Sequence, residues 1–270
     1  MRRLKILFFW IFVNKNNVSF KELLQFLTKP KINAIAKKHI KNIQLNEEYE
    51  VCFNSFPHKL FWPQNFTVNR LDQVVAETFD PMDWHFYQKE KTTIEKGELL
   101  LDIRTAEGLF PLSVVDTCSH IYMVEPSTTF HKCLNKSFSN HRDKVTIFNT
   151  AIGNEDGMIT FNEDSLDGMI SEIKNDAQLM SIYKVDTLFK NGQRITYLKA
   201  DIEGFEAEML KGAEQTIKRN KPKIAITTYH TQNNPKEIID LITGFVPEYK
   251  YYVKGIYEKT PKPVMIHFWI

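Results

Sequence analysis

Two acidic residues separated by a single residue, Asp201 and Glu203, belong to the most specific chemical pattern in the sequence. They follow an apolar run at residues 195–200 and precede a stretch whose apolar residues recur at every fourth position, as on one face of a helix. An ionised carboxylate at a strand end can bind a hydroxyl group or take its proton during nucleophilic attack. Because the helix dipole also explains Glu203, Asp201 is the stronger candidate for chemistry.

Polar residues also follow four other apolar runs: Asp102 after residues 99–101, Glu125 after 121–124, Asn149 after 145–148 and His230 after 224–228. The carboxyl ends of parallel strands share one edge of a sheet, where ligands bind, so we expect these residues to converge. His230 has the ordinary pKa closest to neutrality, which makes it a candidate general base. Asp201 is the alternative, as the base or as the group that orients a hydroxyl. A strand-end histidine bonded to backbone explains His230 equally well.

The turn after the first run, residues 102–110, argues against a dinucleotide ligand. A pyrophosphate requires the spacing G-x-G-x-x-G, because it must approach bare backbone at a helix N-terminus. Here Asp102 ends the run and Gly108 is the only glycine. A ligand with an ammonium and a sulfonium group suits this acidic turn better. A nicotinamide-dependent oxidoreductase fits the alternating pattern but not the turn.

Two further positions suit a nucleoside. Glu125 lies 23 residues after Asp102, close to the offset of about 20 residues at which an acid meets ribose hydroxyls in nucleotide folds. One carboxylate can accept from both hydroxyls. The alternative is that Glu125 caps the helix expected directly after it. The turn at residues 150–157, which includes Ala151, has small residues that would let an adenine ring lie against backbone.

A metal ion is not expected from the spacing of the acids and histidines. Asp201, Glu203 and His230 could approach one another in the fold. However, no H-x-x-x-H, D-x-D or comparable ligand spacing connects them. The sequence therefore predicts chemistry that is independent of a metal.

The elements that must position these residues form an alternating pattern. Four helical segments separate the apolar runs: residues 109–115, 128–138, 185–189 and 205–210. Strands separated by helices indicate βαβ units and a parallel sheet covered on both faces. Two later runs, 249–253 and 264–269, are joined by a polar link with proline. We therefore expect a doubly wound, mostly parallel, Rossmann-like α/β sheet with an antiparallel C-terminal hairpin.

The chain is expected to have two parts, an N-terminal extension at residues 1–94 and a larger domain at residues 95–270. The extension has an α+β pattern, with helices at residues 21–27, 32–43 and 71–78 and strands at residues 49–53 and 59–62. It is also rich in aromatic residues: Trp62, Trp84, Phe86 and Tyr87. Such side chains suit a lid or an acceptor wall that stacks on a sugar, and they are equally ordinary in a core.

Composition narrows the class of protein. The formal charge of +2, from 35 basic and 33 acidic residues, argues against a duplex-DNA binder. Cys52, Cys118 and Cys133 have no C-x-x-C spacing, which argues against a disulfide framework and for a reducing, cytoplasmic compartment. The apolar run at residues 6–13 is too short to span a membrane. We expect it to form a helix packed on the body, with a membrane-surface anchor as the alternative.

The segments together resemble the FkbM-type S-adenosylmethionine-dependent methyltransferases over roughly residues 95–268. The family pattern K-x-D-[IV]-E-G-x-E matches residues 199–206, and Leu210, Gly212 and Ala213 follow as in the family. The dipeptide E-P after the second strand matches Glu125 and Pro126, although this motif is common. The run that ends at His230 looks like the family's strand ending in histidine.

The resemblance implies direct transfer of a methyl group from S-adenosyl-L-methionine to a hydroxyl of a sugar or secondary metabolite, often in polysaccharide biosynthesis. The acceptor would be a small molecule or glycan rather than a nucleic acid, and His230 or Asp201 would assist its deprotonation. Asp102 would lie near the amino acid end of the cofactor, Glu125 at the ribose and Ala151 at the adenine. The residues expected to bind the cofactor are Asp102, Arg104, Thr105, Gly108, Glu125, Asn149, Ala151 and Asp201.

One position departs from the family pattern D-[IV]-G-A-x-x-G. Arg104 stands at the first glycine and Thr105 at the small residue that follows. The arginine could fold away and pair with Asp102 or Glu107, or bind the carboxylate of the cofactor through two hydrogen bonds. It could also block the pocket. The competing hypothesis is therefore a catalytically degenerate binding module with the same fold.

Overall fold

A computed structural model of the protein describes residues 2–89, 91–161, 178–230 and 232–270. The N-terminal part contains α1 (Arg2–Phe12), α2 (Phe20–Thr28), α3 (Ile32–His39), β1 (Ile40–Leu45), β2 (Tyr49–Phe53), β3 (Lys59–Trp62) and α4 (Val68–Phe79). A capping box begins α2, since the Ser19 side chain accepts from the Glu22 backbone N–H and Glu22 accepts from the Ser19 N–H. The predicted helix over residues 32–43 is wrong in its last four residues, 40–43. There the chain becomes β1, because it pairs in antiparallel fashion with β2.

The larger part alternates strands and helices as the sequence predicts. Its elements are β4 (Leu99–Ile103), α5 (Leu109–Val114), β5 (His120–Val124), α6 (Thr128–Ser137), β6 (Val145–Phe148), β7 (Ala151–Ile152), β8 (Gly157–Phe161), β9 (Gln178–Tyr183), α7 (Val185–Leu188), β10 (Tyr197–Ala200), α8 (Glu206–Lys211), α9 (Glu214–Asn220), β11 (Lys223–Thr227), α10 (Pro235–Phe245), β12 (Lys250–Lys254) and β13 (Met265–Trp269). The predicted doubly wound α/β class is confirmed.

The central sheet has seven strands in the order β12-β13-β11-β10-β4-β5-β6. The pairs from β11 to β6 are parallel, and β13 runs antiparallel to both β11 and β12. From β4 the chain proceeds outward through β5 and β6, and from β10 it proceeds the other way through β11. The strand order therefore reverses between β4 and β10, which is where open α/β sheets bind ligands.

Several elements go beyond the sequence prediction. A small three-stranded sheet, in the order β7-β9-β8, lies outside the central one, and α9 and α10 flank β11 along the chain. The pairing in the small sheet joins residues 17 to 31 positions apart, such as Gly157 with Ile182. Such long-range pairing leaves little local signal, because each strand is defined by its partner.

The N-terminal part shares an apolar core with the central sheet. Buried side chains of β3 and α4, such as Trp62 and Leu71, belong to the same cluster as Phe110 of α5 and Tyr197 of β10. The Tyr197 hydroxyl also donates to the backbone oxygen of Tyr87 at 2.7 Å. The N-terminal part therefore lies directly against the edge of the sheet that carries the site. A domain boundary at residue 94 stays a prediction.

Helix α1 contains nearly all of the apolar run at residues 6–13, but the run is only partly buried. Ile6 is fully buried, whereas Leu4 and Phe12 are each 70% exposed. The predicted helix is present; Leu7, Phe9 and Trp10 pack partly against the core beside Ile6, and the rest of its apolar side chains are exposed. No helix among the residues that the structure describes has the length and hydropathy needed to cross a membrane.

Candidate active site

The residues 201–206 after β10 form a tight loop, here called the acidic turn. Glu203 has a φ of +53° and Gly204 a φ of +108°. A Cβ atom at Gly204 would come within 2.6 Å of Gln232 Oε1, so only glycine fits. The buried Glu206 carboxylate holds the turn, since it accepts from the backbone N–H groups of Ile202 at 3.1 Å and Gly204 at 2.9 Å. The backbone is thus fixed so that Asp201 and Glu203 face the same space.

The acidic turn meets His230, as the sequence predicts for Asp201 and His230. His230 Nδ1 lies 3.0 Å from Glu206 Oε1, and its Nε2 lies 3.1 Å from Glu203 Oε2 and 3.6 Å from Asp201 Oδ1. The Thr227 hydroxyl donates to both Asp201 Oδ1 and Glu206 Oε1. The acids and the histidine come from the ends of the adjacent strands β10 and β11. They form one cluster.

The charge of this cluster differs from the sequence expectation. Burial disfavours the charged form of His230, but the close Glu203 carboxylate, the hydrogen bond to Glu206 and the charge of Asp201 raise its pKa to about 10. Burial also opposes ionisation of Asp201, yet hydrogen bonds and nearby positive charges lower its pKa well below the usual range. Without a bound ion, the surrounding carboxylates therefore favour the protonated form of His230. Its ordinary pKa, on which its predicted role as a base depends, does not apply here.

A second histidine, His85 of the N-terminal part, completes the cluster and has no counterpart in the sequence prediction. Its Nε2 lies 3.3 Å from Asp201 Oδ2 and its Nδ1 lies 3.8 Å from Glu77 Oε2. Burial opposes protonation, but the Glu77 charge and the hydrogen bond to Asp201 raise the pKa of His85 to about 9. The Tyr87 hydroxyl also donates to Asp201 Oδ2, at 3.1 Å. Asp201 thus connects the N-terminal part with the sheet.

Asp102 does not follow its strand, as the sequence suggests, but lies inside β4. Its side chain is fully buried and pairs with Lys199, whose Nζ lies 2.8 Å from Asp102 Oδ1. Burial raises the pKa of Asp102, while the Lys199 charge opposes that shift. The same ammonium donates to the backbone oxygen of Arg104 at 3.0 Å. Asp102 therefore fixes the turn that follows and does not line the cavities described below.

Residues 103–108, from the last residue of β4 onward, are here called the arginine turn. They have left-handed backbone at three positions. The φ angles are +58° at Arg104, +51° at Ala106 and +83° at Gly108. Arg104 thus has a backbone conformation that favours glycine, the residue of the family pattern there. A Cβ atom at Gly108 would lie 2.4 Å from Leu134 Cδ2, so this glycine is needed for packing. The Thr105 hydroxyl donates to the Asp102 backbone oxygen at 3.0 Å.

Glu125 holds the arginine turn and also accepts from the N-cap residue of α6, Ser127. Its Oε2 accepts from the Ala106 N–H at 2.7 Å and its Oε1 from the Ser127 N–H at 2.8 Å, just before α6. Burial raises the pKa of Glu125, and the Arg104 charge opposes the shift. Asn149 is exposed and donates to the backbone oxygens of Glu125 and Pro126. Its amide nitrogen thus supports Glu125.

Three cavities meet at these two turns. An apolar cavity of about 430 Å³ is lined by side chains such as Ile103, Val124, Ala151, Phe161 and Phe205. A polar cavity of about 880 Å³ is lined by residues that include Thr105, Glu107, Lys199, Asp201 and Glu203. An outer cavity of about 1540 Å³ is lined by residues that include His85, Glu203, Tyr229, His230 and Tyr257. Arg104 borders both the apolar and the polar cavity.

The predicted acceptor wall of the N-terminal part is partly present. Trp62 and Tyr87 line the polar cavity, and Trp84 lines the outer cavity. Phe86 is half-buried and lines none of the three. Helix α4 supplies polar side chains to the polar and outer cavities, among them Arg70 and Glu77. The N-terminal part therefore forms one wall of the cleft.

Comparison with known proteins points to methyltransferases. A family model described as the methyltransferase FkbM domain matches residues 102–252, more than half of the chain. Comparison with curated proteins finds no match. A solved structure of methyltransferase FkbM from Methylobacillus flagellatus KT is 16% identical with a TM-score of 0.54, and the similarity covers 76% of this chain but only 56% of that one.

Other solved structures are more distant. An rRNA methylase from Streptococcus thermophilus is 11% identical with a TM-score of 0.40, and the similarity covers 65% of this chain and 88% of that one. A precorrin-6y C5,15-methyltransferase from Geobacter metallireducens GS-15 is 8% identical with a TM-score of 0.40, with 65% and 81% covered.

Proposed function

The chain belongs to the FkbM methyltransferase family, and on that premise we propose that it is an S-adenosyl-L-methionine-dependent O-methyltransferase that acts on a hydroxyl of a sugar or secondary metabolite. The observation that carries this proposal is the junction of the apolar and polar cavities at the arginine turn. The two cavities lie at the point where the strand order of the sheet reverses. The outer cavity borders the polar one and shares Glu203 with it.

The residues present fit the cofactor. An adenine ring suits the apolar cavity, where Ala151 forms part of the wall. Glu125 is buried behind the cavity wall and lines none of the three cavities; both of its oxygens accept from backbone, and each retains a lone pair that a ribose hydroxyl would reach only if ligand binding moved the arginine turn. The polar cavity offers acids to the ammonium and sulfonium groups, chiefly Glu107 and Asp201. When bound there, S-adenosyl-L-methionine supplies an electrophilic methyl group.

Arg104 favours binding of this cofactor over blockage of its site. Asp102, one of the two acids with which it could pair, already has its charge compensated by Lys199. The Arg104 side chain borders both cavities, and its charge acts on Glu125. A guanidinium at that boundary can hold the carboxylate of the cofactor through two parallel hydrogen bonds.

The residues of the cluster would act on the acceptor from the outer cavity. Asp201 and His230 lie where that cavity meets the polar one. The ionised Asp201 can accept from the acceptor hydroxyl and orient it, and His230 can assist removal of the hydroxyl proton once it has released its own. His230 is held at Nδ1 by Glu206, so Nε2 is the nitrogen directed at Asp201 and Glu203. The aromatic rings of Trp84, Tyr229 and Tyr257 along the outer cavity suit stacking on a sugar. Alignment of the hydroxyl with the methyl group supplies much of the rate.

The setting we propose is the cytoplasm, in polysaccharide biosynthesis, with a glycan or small-molecule acceptor and no nucleic acid. Cys52, Cys118 and Cys133 are all free thiols in the structure, which supports a reducing compartment. The near-neutral charge of +2 gives no basis for binding a phosphate backbone.

Calorimetric titration with S-adenosylhomocysteine, followed by transfer of labelled methyl groups to a panel of sugars and glycolipids, tests the proposal. We expect saturable one-site binding that Glu125→Gln weakens, because a neutral amide accepts less strongly from ribose hydroxyls. Glu155→Gln, a change at an exposed acid outside the cleft, is the matched control.

A binding module without methyl transfer is the second candidate, and the left-handed Arg104 in place of glycine is the observation that favours it. The two candidates differ in the titration. Absence of binding by the wild-type chain, with binding restored in Arg104→Gly, would establish the module and overturn the enzyme.

A further inference from the structure

We propose that Asp201, Glu203 and His230 bind one divalent metal ion through Asp201 Oδ1, Glu203 Oε2 and His230 Nε2. The sequence spacing argues against a metal site, because the acids and the histidine are 27 to 29 residues apart. That spacing is misleading here. The strands β10 and β11 are direct parallel neighbours, so residues just beyond their carboxyl ends come together in space.

The separations between the three atoms are those of ligands around one ion. One candidate ligand atom from each residue lies within 4.8 Å of the others. His230 Nε2 is 3.1 Å from Glu203 Oε2 and 3.6 Å from Asp201 Oδ1. Neighbouring ligands of an octahedral ion with bonds slightly longer than 2 Å lie about 3 Å apart. The cluster therefore needs little adjustment to accept such an ion.

The orientation of His230 is an independent observation in favour of a metal. Its side chain is only 7% exposed, and its buried Nε2 has no hydrogen-bond partner among the residues that the structure describes. Glu203 Oε2 is close to it but lacks the alignment of a hydrogen bond. A buried ring nitrogen without such a partner, directed at two carboxylates, is the arrangement of a metal ligand.

Glu206 supplies the support that metal-binding histidines generally have. It is fully buried, and its Oε1 lies 3.0 Å from His230 Nδ1. A carboxylate that accepts the Nδ1 proton fixes the ring and leaves the Nε2 lone pair for a metal. The same carboxylate accepts from the Gly204 N–H and so holds the backbone beside Glu203. Glu206 is therefore a positioning residue for two of the three ligands.

The donor set and the surroundings indicate the kind of ion and its use. Two carboxylates with one imidazole suit a divalent ion that accepts both oxygen and nitrogen, such as Mn²⁺. Glu203 and His230 line the outer cavity, so the remaining coordination positions face the expected acceptor. An ion there favours an acceptor hydroxyl with a second oxygen on the adjacent carbon, and the coordinated hydroxyl releases its proton to solvent more readily. This use of the ion rests on the proposed function, whereas the binding itself does not.

The test is a titration of the full chain, first depleted of metal by a chelator, with Mn²⁺. Electron paramagnetic resonance measures the free ion. We expect saturation at one Mn²⁺ per chain, and a loss of affinity of about tenfold or more in Glu203→Gln, since a neutral amide is a poor ligand. Asp201→Asn is expected to act in the same direction. Glu208→Gln, on α8 beside Lys211 and outside the cluster, is the matched control and should bind as the wild type.

Absence of saturable binding in the wild type, or equal affinity in Glu203→Gln and the control, would overturn the proposal. Circular dichroism checks that each variant is folded, and Glu203 is the safer position because its side chain is 23% exposed. Titration with S-adenosylhomocysteine in the presence of chelator separates the two proposals. Cofactor binding without Mn²⁺ binding would overturn only the metal site, and Mn²⁺ binding without cofactor binding only the proposed function.

Discussion

The arginine turn and the acidic turn lie at the same edge of the sheet and have similar backbones, but they present different groups to the cleft. Each contains a non-glycine residue with left-handed φ, Arg104 in one and Glu203 in the other. Each is held by a buried carboxylate that accepts backbone N–H groups, Glu125 and Glu206 respectively.

The difference between the turns lies in what the two buried carboxylates bind besides backbone. The donors described for Glu125 are two backbone N–H groups, one of them from Ala106 of the arginine turn, so this carboxylate shapes the turn. Glu206 also binds His230 and Thr227, so the acidic turn is connected to reactive side chains of the next strand. We therefore propose that the arginine turn binds the cofactor and that the acidic turn carries the chemistry. Substitutions in the two turns should separate these roles.

Replacing Glu206 should have the largest effect. In Glu206→Ala, two backbone N–H groups lose their acceptor, and Thr227 and His230 each lose one of their partners. We expect the free energy of unfolding to fall by about 3 kcal/mol, because the partners stay buried. Urea denaturation measures this, with Glu208→Ala as the control on the same helix. A loss below about 1 kcal/mol would show that the acidic turn does not depend on Glu206.

His230→Gln should strongly reduce methyl transfer while leaving cofactor binding in place. We expect turnover to fall by about 100-fold, because the cluster loses the group nearest both acids. The affinity for S-adenosylhomocysteine should stay within about twofold, since the cofactor is expected in the other two cavities. His131→Gln on α6 is the control. Unchanged turnover would remove His230 from the chemistry, and lost affinity would contradict the division between the turns.

The stability of the arginine turn should depend on pH through Glu107. Burial raises the pKa of Glu107 to about 7 from an unfolded value of 4.5. A folded pKa above the unfolded one gives stability that is present below pH 4.5 and is lost as the pH rises through 7. Glu107→Gln should therefore gain stability over the wild type across this range, by about 3 kcal/mol at most. Urea denaturation at several pH values measures it, and a constant difference would contradict it.

Arg104→Gly should have the smallest effect. Whether it weakens or strengthens binding of S-adenosylhomocysteine separates the two candidate functions. Loss of the guanidinium should weaken binding of S-adenosylhomocysteine about tenfold, if the arginine holds the carboxylate. The fold should not suffer, because glycine adopts a φ of +58° without strain. Calorimetry measures the affinity. Tighter binding in Arg104→Gly would show that the arginine obstructs the pocket.

The strands of the central sheet were predictable because each is a short apolar run between helical segments. Asp102 is the exception, because an acid that follows an apolar run can lie inside a buried strand and need not end it. The signal for its burial was present in Lys199, an equally unusual charge inside the run before Asp201. Asp102 and Lys199 are register partners in β4 and β10, and opposite charges opposed on neighbouring buried strands compensate each other.

The residues of the candidate site that directly follow strands could be predicted from the sequence. Those contributed by other parts of the chain could not. Asp201, Glu203 and His230 converge because parallel strands share an edge. His85 could not be found, since it reaches Asp201 only through packing of the N-terminal part on the sheet. The small sheet of β7, β8 and β9 was missed for the same reason, because its pairing is long-range.

A structure from a crystal soaked with S-adenosylhomocysteine tests directly whether the apolar and polar cavities bind the cofactor. We expect ligand density with the adenine ring beside Ala151, the ribose at Glu125 and the amino acid end near Arg104. A guanidinium of Arg104 that fills the junction of the two cavities, with no ligand density, would contradict the account.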